Sequence, residues 1–93
     1  MTTFNAIPSE QAGMLFQALK EDREVTVIYE ELVVELMPQK NTEMATVRFT
    51  RLPSNGGVKI SRVTLKRHDA LAVVCALFEG IVCKIYVEGE DNG

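Results

Sequence analysis

The chain has no tryptophan, a single histidine, two cysteines and three prolines among its 93 residues. Cys75 and Cys83 are too few for a disulfide scaffold, and no Cys-x-x-Cys or His-x-x-x-His spacing accompanies them. A zinc site is thereby excluded, and no metal or other cofactor is expected. No apolar run approaches the roughly 18 to 20 residues of a membrane-spanning helix. The opening Met-Thr-Thr-Phe-Asn-Ala-Ile-Pro lacks the basic and apolar regions of a secretory leader. The expected setting is a reducing cytoplasm, with both thiols buried as small hydrophobes. The glycines fall in no Gly-x-Gly-x-x-Gly or phosphate-loop spacing.

What is present is an ordinary globular composition, 46% hydrophobic and 25% charged, which argues against disorder. The length allows one domain spanning 1–93, with 1–7 and 89–93 loose. Pro8-Ser9-Glu10 opens a helix, and Ala12, Leu15, Phe16 and Leu19 recur at helical spacing until Lys20-Glu21-Asp22. From Val25 to Met37 the residues alternate, but Val25, Val27 and Tyr29 have the opposite parity to Leu32, Val34 and Leu36. This predicts one strand broken by a bulge or bend near Glu30-Glu31. A second strand over about 44–52 sets Ala45, Val47 and Phe49 inward and Thr46, Arg48 and Thr50 outward.

Pro53-Ser54-Asn55-Gly56-Gly57 marks a hairpin turn. A two-residue loop would place Phe49 opposite Arg62, mixing charge with core. The register one residue over sets Val47 against Val63 or Leu65 and keeps the apolar face whole, so it is preferred. A third strand then covers about 58–65. A second helix over about 67–79 carries Leu71, Val74, Cys75 and Phe78 as its stripe, with Val73 and Leu77 making it the more buried helix and Gly80 capping it. Ile81 to Val87 is the last strand. The fold class is α+β, in the order α-β-β-β-α-β, an antiparallel sheet with two helices packed on one face.

Little in this pattern points to catalysis. His68, in Lys66-Arg67-His68-Asp69, has cations beside it at a positive helix end rather than a tuned partner. The paired acids at Glu21-Asp22, Glu30-Glu31 and Glu90-Asp91 read as solvated turns. The chain is expected not to be an enzyme.

The uneven feature is charge. Residues 1–43 balance at −5 and residues 69–93 at −4, whereas 44–68 hold six bases and no acid, within a net charge of −3. Those bases, Arg48, Arg51, Lys59, Arg62, Lys66 and Arg67, are the candidate binding residues: a basic β-hairpin on an acidic body. The function expected is a small non-enzymatic binding or regulatory protein, of adaptor or inhibitor type, engaging a protein partner, an acidic one if the basic hairpin is the surface used. The alternatives are a nucleic-acid binder using the same hairpin and a small enzyme. No aromatic residue interleaves with the bases as a stacking platform. A competing reading of the hairpin has Glu31 and Glu35 pairing across to Arg48 and Arg62 in a mixed-charge ladder. Val33, Val82 and Tyr86, left over once the core face is filled, are expected to support a homodimer.

The order helix, three-stranded meander, helix resembles that of double-stranded-RNA-binding domains, with Lys66-Arg67 near where such domains carry basic residues. An extra strand follows here, and no site residue is transferred.

Overall fold

The computed structural model describes residues 2–4 and 9–89, with side chains over 12–89. Six strands and two helices alternate as β1 (Thr2–Phe4), α1 (Ser9–Lys20), β2 (Val25–Tyr29), β3 (Leu32–Pro38), β4 (Met44–Arg51), β5 (Lys59–Lys66), α2 (Arg67–Leu77) and β6 (Cys83–Val87). The class is α+β. All strand pairs are antiparallel, in the order β1-β6-β2-β3-β4-β5.

Two departures from the expected order have physical reasons. The stretch from Val25 to Met37 is not one bulged strand but a hairpin, with Tyr29 facing Leu32 across a two-residue turn at Glu30-Glu31. Such a turn pairs odd residues with even ones, so Val27 faces Val34 and Val25 faces Leu36. The parity switch is thus the signature of a turn, and both half-strands keep one apolar face. Four strands therefore lie between the helices rather than three, which removes the likeness in order to double-stranded-RNA-binding domains. Within the lead-in 1–7, Thr2–Phe4 pairs with β6 as a short edge strand.

The hairpin of β4 and β5 adopts the preferred register, Val47 opposite Val63 and Arg48 opposite Arg62. Its ladder stops at Arg51 and Lys59, leaving 52–58 as the connection, where the Gly56 amide donates to the Pro53 carbonyl at 3.1 Å. Gly56 holds φ 91 there, a conformation costly for any residue with a Cβ.

The core draws Leu15, Ala18 and Leu19 from α1 and Ala70, Leu71, Val74 and Phe78 from α2. These meet Val25, Val27, Val34, Leu36, Ala45, Val47, Cys83 and Ile85, which stand on one face of the sheet. Helix α1 ends in a Schellman motif: Arg23 N–H donates to the Ala18 carbonyl at 3.0 Å and Asp22 N–H to that of Leu19 at 3.1 Å. Asp22 occupies the left-handed position at φ 60. Helix α2 ends at Leu77, and Gly80, at φ 74, turns the chain toward β6.

One expectation about α2 is corrected. Val73 is 38% exposed and Leu77 49%, so the helix is not buried on both flanks. It packs on β4 and β5 near the edge of the sheet, where there is no further strand to bury its outer flank.

Candidate functional site

The six bases of the hairpin region separate into three environments. Arg48 is tied down. Its Nε donates to Glu35 Oε1 at 2.9 Å, and its Nη2 reaches Glu35 Oε1 at 2.6 Å and Oε2 at 2.7 Å. Glu35 and Arg48 are directly opposed on β3 and β4, so this is one rung of the mixed-charge ladder. The second rung does not form, because Glu31 sits in the β2–β3 turn instead of on the outward face, where its carbonyl accepts from Leu52 N–H at 2.9 Å.

Arg67 is not part of a surface patch either. Its side chain is only 11% exposed. Nη1 donates to the Leu19 carbonyl at 2.7 Å, Nη2 to the Gln39 carbonyl at 2.8 Å and Asp22 Oδ1 at 2.7 Å, and Nε to the Met44 carbonyl at 3.3 Å. One guanidinium thereby joins the end of α1, the β3–β4 turn and the start of β4. The position of Arg67 explains this: it shares the inward phase of α2 with Leu71, Val74 and Phe78, at i+4, i+7 and i+11.

Arg51, Lys59, Arg62 and Lys66 remain. Among the described residues their side chains make no ion pair or hydrogen bond, and all four are exposed. Arg51 faces Lys59 at the distal end of the hairpin, while Arg62 stands beside the neutralised Arg48. Three of the four lie on β5, which is the outer strand of the sheet and is exposed at every position except Leu65. Its free edge presents unpaired backbone donors and acceptors.

Near the start of α2, Phe16, Lys20, Thr42, Glu43, Lys66, Arg67 and His68 line an open cleft of about 440 Å³. Lys20 Nζ lies 5.7 Å from the centre of the Phe16 ring, and His68 Nε2 is 3.2 Å from Asp69 Oδ1, both side chains well exposed. No cysteine lines this cleft, and the Thr42 hydroxyl donates to the Gln39 carbonyl at 2.8 Å. Burial pushes both thiols above the ordinary cysteine range, the opposite of what a reactive thiolate requires. Cys83 is 2% exposed and Cys75 half-buried, and neither is in a disulfide. Among the described residues no three metal-binding side chains cluster.

Val33 and Tyr86 stand on the face of the sheet away from the helices and Val82 just before the last strand, and the three are not side by side. Ile28 pairs with both Val33 and Lys84, and Lys84 comes between Val82 and Tyr86 in the chain. No described helix is long and apolar enough to cross a membrane. Comparison with known proteins finds no matching family model, no similar curated protein and no similar solved structure.

Proposed function

We propose that this chain is a non-enzymatic binding protein that captures an acidic segment of another protein along the β4–β5 hairpin. The observation carrying this reading is the composition of the free edge: β5 bears Lys59, Arg62 and Lys66, no acid, and no ion pair among the described residues. Arg51, on the neighbouring strand, extends the same field. An edge of eight residues without proline would invite pairing with copies of itself. Charges along it suppress that, since every register of two such strands brings bases near bases with nothing to offset them. The same charges favour an acidic partner, through steering and through rim contacts that set specificity.

The reading is tested with Arg62→Glu and Lys59→Glu combined, against a glutamate-rich peptide and, separately, a DNA oligonucleotide. The expected result is that wild type binds the peptide, the double variant loses binding, and the thermal midpoint stays within a few degrees, because exposed charges contribute only about 0 to 1 kcal/mol each. Equal peptide affinity in wild type and variant overturns the proposal. Tighter binding of DNA than of the peptide, weakening steeply with salt, replaces the protein partner with a nucleic acid.

A further inference from the structure

The free edge of β5 runs beside a second uncovered element. On α2, His68 is turned toward α1, since it lines the cleft that Phe16 and Lys20 share. By helical phase Val73 and Leu77 lie on the opposite flank, directed past the edge of the sheet. They are 38% and 49% exposed, and on the same layer Val63 of β5 is 41% exposed although it faces the helix side. A residue pointing into the core layer of a small domain is ordinarily covered. Val63 is not, because it stands on the outermost strand of the sheet, where no further described strand or helix flanks it. Together the β5 edge and the α2 flank form a step: unpaired backbone groups on one wall, Val63, Val73 and Leu77 on the other.

We propose that this step holds the partner as an additional antiparallel or parallel strand on β5, and that the recognised sequence alternates apolar and acidic residues. The inference rests on the hairpin reading above and specifies its geometry. Side chains of an added strand follow the parity of β5. Those on the helix side meet Val63, Val73 and Leu77 and are apolar there, with Ser61 and Lys59 on the same side toward the distal end of β5. Those on the open side run along Ile60, Arg62, Thr64 and Lys66, and acids there complement Arg62 and Lys66. Backbone hydrogen bonds supply sequence-independent affinity, and the two faces supply the pattern.

The probe is an eight-residue peptide alternating valine and glutamate, compared with one of identical composition whose four valines precede its four glutamates. The alternating peptide is expected to bind roughly tenfold more tightly or better, and the Val73→Ser/Leu77→Ser double variant to lose about that factor, as removal of two apolar contacts implies. Both replaced side chains are already exposed, so circular dichroism and thermal midpoint serve as the folding control. Amide hydrogen exchange in the complex should show new protection at alternate residues of β5. If Arg62→Glu/Lys59→Glu abolishes binding while peptide pattern, the α2 variant and β5 exchange have no effect, an acidic partner binds but not as a strand, and this inference alone fails. If the hairpin variant has no effect, the reading beneath it fails as well. Protection of β5 amides that rises with the concentration of the free protein would assign the step to a second copy and overturn the proposal.

Discussion

Arg67→Ala is the most informative single change for stability, because the sequence places Arg67 in the basic patch and the structure places it inside the fold. The guanidinium makes four hydrogen bonds, three to backbone carbonyls of Leu19, Gln39 and Met44 and one to Asp22. A net hydrogen bond from a charged group contributes about 1.5 to 3 kcal/mol, and neighbouring bonds to one group do not add in full. The Asp22 bond, to a carboxylate 40% exposed, counts only as a surface pair. The Leu19 and Gln39 bonds, both shorter than 3 Å and the first of them part-buried, dominate. Removing the side chain should therefore cost about 3 kcal/mol. For a domain of this size that corresponds to about 12 to 24 °C in thermal midpoint, or a urea midpoint lower by about 1.5 M. Arg67→Lys should recover less than half, since an ammonium cannot span three separate elements. Arg62→Ala, a base five places earlier and on β5, should change stability by less than about 0.5 kcal/mol. Equal effects of Arg67→Ala and Arg62→Ala in urea melts would refute the assignment of Arg67 as an internal tie.

Two further outcomes follow from local features. Glu30 holds a left-handed φ of 49 in the β2–β3 turn, so Glu30→Gly should stabilise the fold by about 0.5 to 1 kcal/mol; a destabilised variant in the same melts would contradict that origin. The thiols, raised by burial, favour folding while protonated: that contribution is intact below the ordinary thiol range and is lost as pH rises through the raised native values. Cys83→Ala should accordingly flatten the alkaline loss of stability. Iodoacetamide should reach Cys83 only on unfolding and Cys75 slowly, and immediate labelling of both in the native protein would contradict the core.

Much of the architecture is legible in periodicity. The apolar stripes locate both helices, and the Val47–Val63 register follows from refusing to mix charge with core. The β2–β3 hairpin is harder to see because neither Glu30 nor Glu31 is a usual turn residue; only the parity switch marks it, and a bulge produces the same switch. The site is legible as charge and illegible as partnership. Six bases without an acid look alike in sequence, yet Glu35 neutralises Arg48 from another strand and the end of α1 claims Arg67. Helical phase was the available signal for Arg67, since it falls on the inward stripe of α2. Phase sets Val73 and Leu77 to one side of that stripe, but whether that side is covered depends on where the sheet ends, which the helix alone does not show.

The position of β6 has a consequence for how the chain assembles. From β2 to β5 each strand pairs with its predecessor, so the meander can zip through successive hairpins with short loops to close. The last strand inserts beside β2, matching Thr26 with Tyr86 and Val27 with Ile85, partners about 60 residues apart in the chain. Closing so long a loop is entropically slow, and it yields contacts only once the meander and helices already offer a groove to fill. This topology leads us to expect two stages of unequal range, with β6 as the late step. A chain paused before that step would expose β2 as an edge and lack Cys83 and Ile85 from its core. The time spent in that state, more than the final stability, sets how long an apolar edge is open to wrong partners during synthesis.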